Sequence, residues 1–124
     1  MIESIEDIAT RDGAMETFIV RPERGGPYPA VLMLMDAPGI REELHDMARR
    51  LATVGFCVLL PNLYYRAGRD TKFGPGVLVM GDPERDRMRA IRTFFFNHTA
   101  TTEIDTLTLH VDLTIIAAPG PNGV

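Results

Sequence analysis

Two uninterrupted apolar runs, Ala30 to Met35 and Phe56 to Leu60, enclose one helical period, and this pattern constrains the fold more than any other feature of the chain. An apolar run of this length bounded by loop residues is a strand covered on both faces, as in a parallel sheet flanked by helices. Between the runs, Ile40, Leu44, Met47, Ala48, Leu51 and Val54 recur at spacings of three and four, which predicts a helix with one apolar face. Glu42 and Glu43 fall in its first turn, where the helix dipole favours negative charge. Arg49 and Arg50 fall near its end, and Gly55 is a suitable stop. Strand, helix and strand together predict a right-handed crossover with parallel pairing.

The flanking segments fill in the rest. Residues 2–9 and 15–20 alternate imperfectly around Asp12-Gly13, a strong turn pair, and predict a leading antiparallel hairpin. "RPERGGPYP" (residues 21–29) is a loop, given its prolines and glycines. Residues 62–83 predict a long loop rich in Gly, Arg and Tyr; loops of this length inside a domain are often functional. Pro83 opens a second helix, with Met88, Ile91 and Phe95 on one side and Arg85, Arg89 and Arg92 on another. A third helix is expected from about Glu103 to Ala117, with a terminal loop after it. The fold class is therefore α/β: a leading hairpin, a strand–helix–strand parallel unit and two further helices.

At 124 residues the chain suits one domain. A net charge of -4 gives no basic surface for nucleic acid, so no nucleic-acid partner is expected. No run of about 18 apolar residues predicts a membrane span, and the acidic N-terminus "MIESIEDIATRDG" is unlike a secretory signal. With a single cysteine, these features favour the cytoplasm.

Residues for covalent chemistry are scarce. Ser4 is the only serine and lies in the first strand; Cys57 is the only cysteine and lies in an apolar run, where a thiol ordinarily serves as a small core residue. No G-x-S-x-G or G-x-C-x-G elbow occurs. His45, His98 and His110 do not share metal-motif spacing, so each is read as a helix-surface residue and no metal is expected. "FGPGV" (residues 73–77) lacks the helix of a phosphate cradle, and no cofactor is expected. Asp36 stands apart, because ligands of open parallel sheets bind beyond the carboxyl ends of the strands, where Asp36 lies. Local pattern leaves two readings of it open: a cleft-facing carboxylate, or a turn residue bonding nearby backbone N–H groups. Gly39 permits a tight turn beside it.

"VLMLMDAPGIREELHDMARRLATVGFCVLLPNLYYR", Val31 to Arg66, resembles the front half of the dienelactone hydrolase family, a branch of the α/β-hydrolases. The shared order is apolar strand, acidic residue, turn with Gly, helix, then a strand ending Pro61-Asn62-Leu63-Tyr64. The resemblance implies an esterase or lactonase acting on a small-molecule ester or lactone, with a nucleophile (Cys in most members, in G-x-C-x-G) followed by Asp and His. It implies that Asp36 takes the place of an acidic residue touching the resting nucleophile, one methylene shorter than the Glu of many members. It gives the backbone N–H of Ala37 the role of an oxyanion donor, which leaves that side chain free to vary. For the substrate carboxylate it makes Arg85, Arg87 and Arg89 candidates, against the alternative that each sits on a solvated helix face.

On this resemblance, residues 1–124 form a partial α/β-hydrolase domain that ends before the nucleophile elbow, a truncated catalytic unit inactive alone. The Val31 to Met35 strand then has an exposed, apolar edge open to self-association. Two other classes compete. One is a non-catalytic α/β half-domain acting through binding or self-association. The other is a flavodoxin-like domain, disfavoured because "MDAPGI" puts a carboxylate where phosphate would bind.

Overall fold

The structure is a computed structural model; it describes residues 1–69 and 71–96. The Asp12-Gly13 turn joins β1 (Ile2–Thr10) and β2 (Gly13–Arg21) in antiparallel register, closing with Thr10 opposite Gly13. After the Pro/Gly loop come β3 (Ala30–Leu32), α1 (Glu42–Thr53) and β4 (Cys57–Pro61), with β3 and β4 parallel as the periodicity predicts. The sheet is mixed, in the order β1-β2-β4-β3, because β2 pairs antiparallel with β4. The molecule is thus an α/β structure of four strands with α1 and a second helix, α2 (Pro83–Phe96). The helix expected at residues 103–117, and His98 and His110, lie outside the described residues.

Alternation sorts the strands onto two faces. Val58 and Leu60 of β4, with Phe18 and Val20 of β2, face α1 and meet Leu44, Ala48 and Ala52. Cys57 and Leu59, with Met15 of β2 and Ile8 of β1, point the other way and meet Leu63 and Tyr65. Burial on both sides is why β4 reads as an unbroken apolar run; all five of its residues are buried.

Three expectations need correcting. The strand expected over Ala30–Met35 is regular only to Leu32, although the Met33 N–H still donates to Leu59 O at 2.8 Å. The ladder stops there because the chain turns away toward Asp36. The face of α1 is narrower than its apolar residues suggest: Met47 is 52% exposed and Val54 70%. The buried ridge runs through positions 44, 48 and 52, each four residues on, and Met47 lies one residue, about 100°, off it. The loop at residues 62–83 is not structureless; it contains 3-10 turns at Tyr65–Ala67 and Pro75–Leu78.

The first of those turns is tied to the hairpin. Thr10 Oγ1 and Tyr65 Oη are hydrogen-bonded at 2.8 Å, Arg66 Nη2 donates to Asp12 at 2.6 Å, and Arg69 bonds Asp7 at 2.5 Å and Glu16 at 3.1 Å. The hairpin therefore fixes where the chain leaves β4, and this positions the residues that follow Pro61.

Candidate active site at the end of the third strand

Past β3, the Gly39 N–H donates to Asp36 O at 2.9 Å, closing a turn over Asp36-Ala37-Pro38-Gly39. Gly39 has φ +81, and a Cβ there would lie 3.4 Å from Thr71 O and 3.5 Å from the Tyr64 ring. The position favours glycine for the sign of φ, since those distances are ordinary van der Waals contacts. Helix α1 begins two residues beyond Ile40 with Arg41 as N-cap and no side-chain cap, so Glu42 and Glu43 supply the negative charge its amino end favours.

The Asp36 carboxylate does not point free into a cleft. Arg41 grips it through both oxygens, Nη1 to Oδ1 and Nη2 to Oδ2 at 2.8 Å, while the same Nη1 donates to Gly39 O at 3.1 Å. These bonds from Arg41 hold the Asp36 carboxyl below the usual carboxylate range, against the opposing effect of partial burial. The side chain is 51% exposed. Sequence reading did not find this partner; a signal was available in the five-residue spacing of opposite charges across a turn.

Ala37 has both flanking carbonyls engaged. Asp36 O accepts from Gly39, and Ala37 O accepts the Tyr64 hydroxyl at 2.8 Å. The first of these fixes the peptide plane that carries the Ala37 N–H, which points opposite to Asp36 O because the peptide is trans and planar. Among the described residues that N–H makes no hydrogen bond. A fixed, unbonded N–H at the carboxyl end of a parallel strand can receive an anionic oxygen.

The Tyr64 anchor comes from the Pro61–Tyr64 stretch. Asn62 takes a hydrogen bond from the Tyr64 N–H at 3.1 Å, donates through Nδ2 to Thr71 Oγ1 at 2.9 Å, and bonds Glu16 O through its own N–H at 2.8 Å. Asn62, Tyr64 and Thr71 are all buried. Burial pushes the Tyr64 phenol up, so it remains a protonated donor at neutral pH.

Of the arginines weighed for substrate binding, Arg87 reaches back to the long loop, donating to Lys72 O at 3.2 Å with its guanidinium 5.0 Å from the Phe73 ring centroid. Arg85 is half-buried and Arg89 exposed on α2. His45 is not a plain surface residue: its ring lies 4.4 Å from Phe18, and Nδ1 is 3.2 Å from Glu42. Burial pushes the Cys57 thiol up, away from the reactive thiolate. Among the described residues no cluster of His, Cys, Asp and Glu could hold a metal ion, and no helix is long and apolar enough to cross a membrane.

The family model described as the dienelactone hydrolase family matches residues 15–112. A protein of Methylorubrum extorquens, provisionally named carboxymethylenebutenolidase, is 38% identical over 61 residues, which are 49% of this chain and 21% of that protein. One of Yersinia pestis with the same provisional name is 34% identical over 62 residues, 49% of this chain and 23% of its own. A crystal structure from Klebsiella pneumoniae, provisionally titled a dienelactone hydrolase, superposes with a TM-score of 0.54 at 24% identity, covering 78% of this chain and 44% of that one. The matched stretches span less than a quarter of those two curated relatives, and the chain spans less than half of the solved structure.

Proposed function

Since the chain belongs to the dienelactone hydrolase family, we propose that these residues form the oxyanion-side half of a carboxylic ester or lactone hydrolase, the amino-terminal half of an α/β-hydrolase sheet. The observation that carries this reading is the Ala37 N–H, fixed by the Asp36–Gly39 turn and unbonded among the described residues. In acyl transfer, negative charge develops on the carbonyl oxygen of the substrate. A donor already fixed in place stabilises that charge without reorganising as it forms. The Arg41-paired Asp36 keeps a formal charge beside the turn but is largely neutralised by its partner. Of Arg85, Arg87 and Arg89, the first and third are the better placed to meet a substrate carboxylate, because Arg87 is occupied by the long loop.

These 124 residues hold no G-x-S-x-G or G-x-C-x-G elbow, so the nucleophile comes from outside them and they do not hydrolyse esters alone. The purified chain is expected to release p-nitrophenol from p-nitrophenyl acetate no faster than a mock purification. Turnover abolished by Asp36→Ala would overturn this. When the elbow is supplied, in a longer product carrying these residues or by complementation with the remainder of the Klebsiella protein, Ala37→Pro removes the N–H. It is expected to lower kcat by roughly a hundredfold or more, the effect of losing one oxyanion donor; an undiminished kcat would sink the oxyanion reading.

A second reading, a non-catalytic half-domain that self-associates, is favoured by one observation. Among the described residues β3 has a single sheet neighbour, β4, and Leu34 just beyond it is 51% exposed.

A further inference from the structure

We infer that Tyr64 is a positioning residue for the proposed oxyanion donor. Its hydroxyl, aligned through Asn62 and Thr71, holds the Ala37–Pro38 peptide, the plane next to the one that carries the Ala37 N–H, and so keeps the turn in the conformation that aims that N–H outward. The inference rests on the oxyanion reading of Ala37 and adds to it a group that holds the donor's turn.

Three independent contacts support the assignment. The Tyr64 hydroxyl is 2.8 Å from Ala37 O, across 27 residues of sequence. The Tyr64 ring packs beside Gly39, where a Cβ would lie 3.5 Å from it, an ordinary van der Waals contact. One buried tyrosine thus packs beside the last residue of the turn and bonds the second. Its own place is set by the Tyr64 N–H to Asn62 Oδ1 bond and by Asn62 Nδ2 to Thr71 Oγ1, and Thr71 O flanks Gly39 on the remaining side. Asn62, Tyr64 and Thr71 are buried and the bond to Ala37 O is part-buried, where a hydrogen bond is stronger and misalignment costs more than in water. The Gly39-to-Asp36 bond orients the plane that carries the Ala37 N–H, and with Ala37 O anchored the next plane is held too, so neither plane flanking the Ala37 Cα is free to turn about it. An oxyanion donor is effective because it does not have to move.

Tyr64→Phe keeps the ring and removes only the hydroxyl. In the 124-residue chain, amide exchange at Gly39, whose N–H closes the turn, is expected to speed up by roughly two- to tenfold, the factor one net hydrogen bond commands. Exchange at Val58–Leu60 of β4 should stay unchanged, and the Ala37 carbonyl 13C resonance should move upfield as its hydrogen bond is lost. With the elbow supplied, kcat is expected to fall while KM for a neutral ester holds. Unchanged exchange at Gly39, or equal acceleration at Gly39 and in β4, overturns the assignment to Tyr64 alone. Undiminished kcat in Ala37→Pro overturns the oxyanion reading and the role of Tyr64 with it. Should Tyr64→Phe not fold, Thr71→Val carries the test. It loosens Asn62 at the far end of the network, and the same Gly39-confined acceleration is expected; none would count against the network.

Discussion

Two residues of the Asp36–Gly39 turn make claims that can be tested singly. At φ +81, Gly39 occupies backbone space that costs a non-glycine residue roughly 1–2 kcal/mol, while a Cβ would meet Thr71 O and Tyr64 at ordinary contact distance. Gly55 has φ +104 but open space around it. Gly39→Ala and Gly55→Ala are therefore both expected to lower the urea midpoint, and by similar amounts; an unchanged midpoint for Gly39→Ala would show that its positive φ is not maintained in solution. The Asp36–Arg41 pair makes a pH claim. Hydrogen bonding by Arg41 depresses the folded-state value of the Asp36 carboxyl. Its contribution is fully present above the ordinary carboxyl value of about 4 and is lost as pH falls through the depressed one. Half-exposed as Asp36 is, that contribution stays within about 1 kcal/mol. Arg41→Gln should move the Asp36 carboxyl titration upward in a 13C NMR experiment, and an unmoved titration would show that Arg41 does not hold it in solution. That Asp36 follows the apolar strand and precedes a helix was legible from residue order; its partner was not, because pairing across a turn depends on the turn's closure.

Among the elements, α1 tests how closely a helix sits on the sheet. Ala48 and Ala52 are fully buried against Phe18, Val20, Val58 and Leu60, and small residues on the ridge let the helix axis approach the strands. Ala48→Leu adds volume where none is free and is expected to cost about 1–3 kcal/mol in a chemical-denaturation measurement. Met47→Ala, on the solvent side, is expected to stay within about 0.5 kcal/mol. Comparable losses at the two positions would refute the observed helix rotation. Periodicity located the helix to within two residues at its start. It did not separate Met47 and Val54 from the buried ridge, because an apolar side chain at the border of a stripe carries the same letter whether it is covered or not. The hairpin was legible for the opposite reason: Asp-Gly prescribes its own turn without help from the rest of the fold.

For the whole molecule, the edge of β3 separates the two functional readings. Among the described residues β3 has one sheet neighbour, and with apolar residues running on to Met35 such an edge is an association hazard. On the self-association reading, light scattering should show the mass of the 124-residue chain rising with concentration. Leu34→Lys, at an exposed position, should return it to a monomer without loss of helix or sheet. A mass that stays monomeric across the range would reject that reading and leave the catalytic one standing. The two differ in what they ask of the same strand: a hydrolase needs its carboxyl end, an assembly needs its edge.

The sequence by itself determined the hairpin, the strand–helix–strand order and the family resemblance, because each is carried by neighbours in the chain: a turn dipeptide, a period of two or about 3.6, a run of apolar residues. Tertiary structure alone decided how the turn after β3 is held. Tyr64 bonds Ala37 from 27 positions away, Asn62 bonds Glu16 and Thr71, and the hairpin fixes the segment that carries the tyrosine. Hydrogen-bond partners distant in sequence are selected by where the sheet order β1-β2-β4-β3 places the ends of its strands, and no local pattern contains that information.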